Sequence, residues 1–300
     1  MIFLGCILSL MSPSTFQIFY PQSEKLKTLI KLYYVHYSED ENYVDQLTYF
    51  PNHMTTFSAY RGTTIVKEQY KRVHRSNTSE EWDFLLMHKI DRSRSIITKG
   101  SFFKITVVFY PLGLNHFLSK YIADVGADHY ARIQPFSSGI NPILEMFYRN
   151  RDFQYLTTSL DGFFESAYVG FKENRIKRLI HLLLNNVNLS VERMAYLENI
   201  SRKTVLRLFR QHLDMSPTAY KSILKFRRSL EAFQDENYNG KMTHLAYEGA
   251  YYDQADFNNH FKEKTGLTPK QLFAELNDIK KGLFWKMSHV PKVQDYPCAQ

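Results

Sequence analysis

Apolar and aromatic residues fall into two regimes along the chain. Up to about residue 140 they form short runs rich in β-branched and aromatic side chains, at 28–37 (TLIKLYYVHY), 47–60, 82–90 and 101–110 (SFFKITVVFY), separated by polar or Gly/Pro turns. This spacing predicts a small barrel or sandwich. Over 141–171 the period becomes helical, with Ile143, Leu144, Met146 and Phe147 and then Phe163, Phe164, Ala167 and Tyr168 at three- and four-residue intervals, and Gly170 as a hinge. The segment 175–185 (RIKRLIHLLLN) puts Ile176, Leu179, Ile180, Leu183 and Leu184 on one face of an amphipathic helix, and the chain reads as all-helical from there on. Phe163, Phe164, Tyr168 and Phe171 form either a helical dimer seam or a surface packed on the β-rich part. A length of 300 residues, against about 100 to 200 for a usual domain, favours two domains.

The helical part contains an internal repeat. Residues 209–217 (FRQHLDMSP) match 261–269 (FKEKTGLTP) at a spacing of 52, and Ala195 with Asn199 matches Ala246 with Ala250 at a spacing of 51. The difference of one residue predicts a longer second turn, between Ala250 and Asp253. Each copy reads as a short helix, a tight turn, a second helix and a Ser/Thr-Pro start to a third. In the first copy, Ser190 caps a helix carrying Val191, Met194, Ala195 and Leu197, and the small Ala195 lets a crossing helix approach. Asn199 tolerates the left-handed backbone such a turn needs. Ser201 caps the next helix, which turns Val205, Leu208, Phe209 and Leu213 inward and leaves Arg202, Lys203, Thr204, Leu206, Arg207 and Arg210 outward. Ser216 and Pro217 start a longer helix through Tyr220, Ile223, Leu224 and Phe226. In the second copy, 243–249 is the support helix. Asp253 caps a helix over 254–264 with Phe257 and Phe261 inward and Gln254, Ala255, Asn258, Asn259 and Lys262 available. This is helix-turn-helix geometry, in which the second helix of each unit enters the major groove, and two such readers on one rigid helix would meet groove segments on the order of 34 Å apart.

Charge sharpens this picture. The chain has 38 Lys/Arg against 30 Asp/Glu, a net +8 that suits a polyanionic partner. Residues 171–230 alone hold 13 basic and 4 acidic residues, net +9, whereas 231–281 hold 6 basic and 9 acidic, net −3. The positive field therefore belongs to the block containing the first unit. A hydrophobic fraction of 44% with 15% aromatics excludes a disordered chain. Two cysteines, Cys6 and Cys298, cannot build a disulfide framework, which fits a reducing cytoplasm and argues against a structural zinc site. The apolar start, IFLGCILSL, is too short to span a bilayer and lacks a basic n-region; the plainer alternative is a true start at Met11. His53, His74, His88, His116 and His129 are scattered without ligand spacing, so no metal or acid–base site is expected from them. The aromatic strands either line an effector pocket or form plain core.

The segment from about 175 to 276 resembles the DNA-binding domain of AraC/XylS transcriptional regulators. The matching residues are Ala195, Ser201, Phe209, Ser216-Pro217 and Tyr220 in the first unit. In the second they are Ala246, Tyr251, Gln254, Phe257, Phe261-Lys262 and Gly266-Leu267-Thr268-Pro269. Departures are Ala250 and Asp214 where the family has glycines, Lys225 for an Arg and Ala255 for a Ser; Ala250 in a turn wanting positive φ would cost about 1 kcal/mol. The first half more loosely resembles AraC-type β-barrel sensor domains through 47–52 (LTYFPN) and 107–117 (VVFYPLGLNHF).

The resemblance implies an α+β chain: a β-rich sensor or oligomerisation domain at 1–165 with a helical C-terminal part, then an all-α DNA-binding domain at 172–281. The latter's two helix-turn-helix units, at about 188–220 and 241–273, are joined by a long helix. The expected partner is double-stranded DNA, with a small-molecule effector, a second copy of the chain and, for an activator, RNA polymerase as further partners; no membrane, cofactor or enzymatic activity is expected. Among the outward residues, Lys203, Arg207, Asn258 and Asn259 are candidate base readers, since Arg suits guanine and amides suit adenine. Leu206 either touches a thymine methyl or packs. Lys262 and Arg210 are phosphate anchors, because phosphate contacts position while base contacts specify. Two rivals stand beside the sequence-specific regulator. A non-specific or architectural DNA binder would use mainly the first unit, and a β-barrel enzyme with a helical regulatory tail would need a clustered titratable site in the first half.

Overall fold

The computed structural model describes residues 6–8, 14–68, 71–76, 80–125, 130–131, 135–136, 138–233, 235, 238 and 240–280. The expectations placed on Met11, His129 and Cys298 lie outside the described residues. The strands are β1 (Cys6–Leu8), β2 (Thr15–Phe19), β3 (Ile30–Ser38), β4 (Val44–Tyr49), β5 (Thr55–Arg61), β6 (Thr63–Glu68), β7 (Lys71–Ser76), β8 (Trp82–Met87), β9 (Arg94–Lys99), β10 (Phe102–Phe109) and β11 (Tyr130–Ala131). They form two sheets, ordered β1-β4-β9-β7-β6 and β11-β8-β5-β10-β3-β2. Every pairing is antiparallel except that of β7 with β9.

The barrel or sandwich expectation therefore holds, but several of its strands were not foreseen. The run expected at 47–60 is two strands, because Pro51 offers no N–H to a ladder and Asn52 turns the chain, its Oδ1 accepting from Met54 N at 3.1 Å. β2, β6, β7 and β9 carry charged or mixed sequences that do not alternate cleanly, and their pairing partners rather than their own pattern make them strands.

β10 is buried along its whole length between β3 and β5. Phe103, Ile105, Val107 and Phe109 face one cluster, shared with the helices Asn141–Asn150 and Phe153–Ser166, while Val108 faces a second that includes Tyr49 and Ile96 of the other sheet. A strand covered on both faces reads as continuous rather than alternating apolar sequence.

The helices are α1 (Glu24–Lys27), α2 (Asn141–Asn150), α3 (Phe153–Ser166), α4 (Asn174–Asn185), α5 (Val191–Leu197), α6 (Arg202–Leu213), α7 (Pro217–Ala232), α8 (Met242–Glu248), α9 (Gln254–Thr265) and α10 (Pro269–Lys280). The helical stretch expected at 141–171 breaks at Arg151, whose φ of 56° is left-handed, and restarts with Asp152 as cap. Phe164 is fully buried against Phe109, Phe117 and Phe136, and Tyr168 stacks on His116. The aromatic quartet thus packs within the chain. Buried Asp161 of α3 accepts from Gln22 N, Ser23 N and the Tyr33 hydroxyl at 2.6, 2.9 and 2.8 Å, which satisfies its charge and ties the helix to the sheet.

Each half of the all-helical region has its own apolar cluster, and each cluster takes in one residue from the β-rich half. Leu112 enters the cluster built by α4, α5, α6 and the start of α7, and Phe50 enters the one built by the end of α7, α8, α9 and α10. Polar contacts reinforce both junctions. Asn115 Nδ2 donates to His212 O at 3.1 Å, and Ser93 N donates to Lys264 O at 2.7 Å. Residues 212 and 264 are equivalent positions of the repeat, and both carbonyls lie in a last helical turn, where no intrahelical donor remains. Asp214, the left-handed C-cap of α6, receives His88 Nε2 at 3.3 Å, Lys89 Nζ at 3.5 Å and Arg210 Nη1 at 3.0 Å. Arg227 Nε of α7 donates to Pro51 O at 2.6 Å.

Stability should fall on mild acidification. Burial, helped by nearby cations, lowers His36 and His53 to about 3 and His116 and His260 to about 4, below the ordinary 6.5. The unfolded chain then binds more protons than the folded one below pH 6.5. Denaturant unfolding should show a loss of up to about 1.4 kcal/mol per pH unit per histidine as pH falls from 6.5 towards 4, offset in part by Glu231, which burial raises to about 7 and which contributes with the opposite sign; a profile that rises on acidification would refute buried neutral imidazoles.

Asp214→Asn removes charge while keeping a residue that tolerates positive φ. Burial raises the Asp214 carboxyl, but His88, Lys89 and Arg210 outweigh it and hold the group below its ordinary 3.8. The substitution should cost about 1–3 kcal/mol at neutral pH. That difference from the parent chain should persist down to the ordinary carboxylate value and vanish as pH falls through the folded one.

Candidate nucleic-acid interface

The caps expected from sequence form as hydrogen bonds. Ser190 Oγ accepts from Arg193 N at 3.0 Å, Ser201 Oγ from Thr204 N at 3.1 Å, and Ser216 Oγ from Ala219 N at 3.1 Å. Between α5 and α6, Asn199 sits at a φ of 51°. Val205, Leu208, Phe209 and Leu213 are buried, which fixes the rotation of α6 and leaves Arg202, Lys203, Leu206, Arg207 and Arg210 exposed on its outer face. Leu206 is 45% exposed on that face. Thr204 differs from its neighbours: it is half-buried, and its hydroxyl lies 3.0 Å from Ser201 Oγ as part of the cap.

The outward cations of α6 are not equally free. Arg210 is held by buried Asp214, and Arg202 pairs with Glu192 at 2.9 Å where both side chains are exposed, a contact of little energetic weight. Arg207 donates to the Gln211 amide oxygen at 2.8 Å. Lys203 has no ion-pair partner among the described residues. Lys203 and Arg207 are therefore the side chains that can redirect to a new acceptor at least cost.

The second unit repeats the plan with the predicted extra turn residue. The support helix α8 is Met242–Glu248, one residue earlier than the expected 243–249, and α9 begins at Gln254 after Asp253 accepts from Asp256 N at 2.8 Å. Ala250 takes the expected left-handed backbone, φ 56°. Gly249 before it is required by contact: a Cβ there would lie 2.1 Å from Ser229 Oγ of α7, itself buried and donating to Leu245 O at 2.6 Å. Phe257 and Phe261 are fully buried. Gln254, Ala255, Asn258, Asn259 and Lys262 are all exposed, with Gln254 Nε2 3.4 Å from Asn258 Oδ1. His260 locks α9 in place between Ser222 Oγ of α7 and the Tyr251 hydroxyl, each at 2.6 Å, and burial keeps its imidazole neutral.

The sequence reading passed over other features of the two units and of the segments that meet them. Tyr196 of α5 and Tyr247 of α8, 74% and 80% exposed, occupy equivalent repeat positions, so the repeat was the signal that could have found them. The Arg193 guanidinium lies 5.0 Å over the Tyr196 ring. His88, Lys89 and Ser93, which grip the ends of α6 and α9, carried no local signal, since their partners are far away in sequence. The aromatic strands form core. Among the described residues no group of three His, Cys, Asp or Glu side chains is placed to hold a metal ion, and no helix is long and apolar enough to cross a membrane.

Comparison with known proteins matches residues 194–275 to a family described as a helix-turn-helix domain. No curated protein sequence matches the chain. Among solved structures, ToxT from Vibrio cholerae O395 is similar at 12% identity, covering 88% of this chain and 97% of that one, with a TM-score of 0.41. Unsaturated fatty acid bound wild-type ToxT from Vibrio cholerae strain SCE256 is similar at 10% identity, covering 87% and 94%, with a TM-score of 0.40. The AraC-like transcriptional activator CuxR is similar at 12% identity, covering 78% and 91%, with a TM-score of 0.18. The family match runs from within α5 into α10 and so takes in the second helix of both copies of the repeat, each capped and presenting a polar outer face: this part of the chain matches the helix-turn-helix domain family.

Proposed function

We propose that the chain is a sequence-specific transcriptional regulator in which residues 172–281 bind DNA and residues 1–165 act as a sensor or oligomerisation module. The observation that carries this reading is the pair of outward faces on α6 and α9, built from the same repeat and differing in chemistry. The first offers Lys203 and Arg207, suited to guanine edges; the second offers Asn258 and Asn259, suited to adenine edges. Arg202, Arg210 and Lys262, with the Tyr196 and Tyr247 hydroxyls, supply backbone contacts that position the readers. α7 has 16 residues, about 24 Å of helix, and joins the two units as one rigid spacer.

The N-terminal half bears on both units through Leu112 and Phe50, so a small-molecule effector or a second copy of the chain acting there would reach the readers by biasing how the units sit. An activator of this design would also meet RNA polymerase, and its work would lie in the cytoplasm. A second reading has one observation in its favour: Asp253, Asp256 and Glu263 are exposed around the outer face of α9, which suits a unit that rests on the duplex without reading it.

Selection of binding sites from random duplexes with the full chain separates these readings. The expected result is a site of two short blocks about one helical turn apart. On that site Arg207→Ala should cost about 1–3 kcal/mol and relax one position of the first block, and Asn259→Ala should do the same in the second. An Asn259→Ala chain with unchanged preference would reduce α9 to a backbone anchor. Binding without any enriched sequence would overturn the proposal in favour of a general DNA binder.

A further inference from the structure

A groove of about 620 Å³ runs along the C-terminal half of α6, where the β-rich half and the 170–173 linker approach it. One wall is α6 itself, with Arg207, Gln211 and His212; the other carries Lys120 from the loop before the 3-10 turn Ile122–Asp124, and Lys172 from the linker. The walls are fixed rather than incidental. Tyr121 and Phe171 pack their rings on His212 with centroids 5.2 and 5.1 Å apart, and Asn115 holds the His212 carbonyl. Lys120 and Lys172 are both exposed.

The charge balance of this groove is one-sided. Glu173, one of its two acids, is spent internally on Arg175, whose Nε and Nη2 meet it at 2.8 and 2.6 Å. Asp124 is the other. Against it stand Lys120, Lys172 and Arg207, none with an ion-pair partner among the described residues. Pockets for small effectors are mostly apolar and enclose their ligand; this one is open and lined largely by charged and amide side chains. Its chemistry fits a polyanion passing along α6. The duplex whose major groove receives α6 is such a polyanion, and its phosphates run on either side of the helix.

We propose that Lys120 and Lys172 extend the DNA interface beyond the matched residues 194–275, each contacting the phosphate backbone of the duplex read by α6, so that through Lys120 the β-rich half is itself part of the DNA-binding surface. The inference rests on the proposed function and adds to it a contact made from outside the matched domain. Because these lysines face phosphate rather than bases, they contribute affinity and salt dependence but no sequence preference.

The test is titration of the full chain on its selected duplex by fluorescence anisotropy over a range of salt concentrations. Lys120→Gln and Lys172→Gln should each weaken binding to all sequences by the same factor. Each should also lower the slope of log affinity against log salt by about 0.9, the value of one lost phosphate contact. The double variant should lose about twice that, with the selected motif unchanged. Lys99→Gln, at the exposed C-terminal end of β9 and not part of the groove lining, is the control for a general loss of charge and should leave the slope as it was. Unchanged slopes in Lys120→Gln and Lys172→Gln, with a reduced slope in Arg202→Gln, would overturn the inference while leaving the proposed function intact. A parent chain with no salt-sensitive binding to any duplex would remove the proposed function and this inference together. All the positions changed are exposed, so loss of fold does not confound the result.

Discussion

The arrangement of the two reading units depends on two apolar residues that leave the β-rich half. Leu112 completes the core of the first helix-turn-helix unit and Phe50 that of the second, and each is accompanied by a hydrogen bond to an equivalent carbonyl, His212 O or Lys264 O. Burying a leucine and a phenylalanine is worth roughly 3–6 kcal/mol together, and two neutral hydrogen bonds add about 1–3 kcal/mol. The sum is similar to the ~5.5 kcal/mol that inverts a two-state population from 1:99 to 99:1. These four contacts alone are therefore strong enough to define the relative placement of α6 and α9, and the contacts of Asp214 with His88 and Lys89 and of Arg227 with Pro51 add to them.

Backbone strain gathers at the same seam. Lys89, Leu112 and Asp214 all have positive φ without being glycine, and each sits where the two halves meet. Gly113 follows Leu112 because a Cβ there would lie 2.1 Å from Leu29 O. Such residues persist only where the surroundings over-determine them. At Asp214 the compensation is visible: the left-handed C-cap that would suit glycine is kept by a side chain that His88, Lys89 and Arg210 all address. At the C-cap where one unit has Asp214 and the other Gly266, the first unit is fastened to His88 and Lys89 through the Asp214 carboxylate, and the second is fastened to Ser93 through the Lys264 carbonyl.

Local chemistry was legible in the sequence, and distant pairing was not. Ser190, Ser201, Asp253, Asn199 and the inward faces of α6 and α9 follow from capping and periodicity within a dozen residues, and they stand as read. Charged strands such as β7 were missed because their identity comes from their neighbours in the sheet. The two segments that carried the looser resemblance of the first half, 47–52 and 107–117, were recognisable as motifs but not in their role. They contain Phe50 and Leu112, and only the folded chain places those side chains inside the helical cores. Lys120 was unremarkable for the same reason: its proximity to Arg207 exists only across the seam.

The charge asymmetry between the units acquires a physical meaning once this seam is in place. With net −3 over 231–281, the second unit draws little attraction from phosphate on its own, whereas 171–230 carry net +9. A weak binder held by a rigid connection beside a strong one engages at an effective concentration on the order of millimolar, provided the geometry matches the duplex. α7 and the docked strands supply that geometry twice over. On the proposed function, the acidic unit would devote its exposed amides to base edges while the basic unit, with the lysines proposed beside it, would hold the chain on the DNA. On this account the second unit's contribution depends on placement rather than on charge, and disturbing the seam at Leu112 or Phe50 would weaken reading by α9 before it weakened attachment by α6.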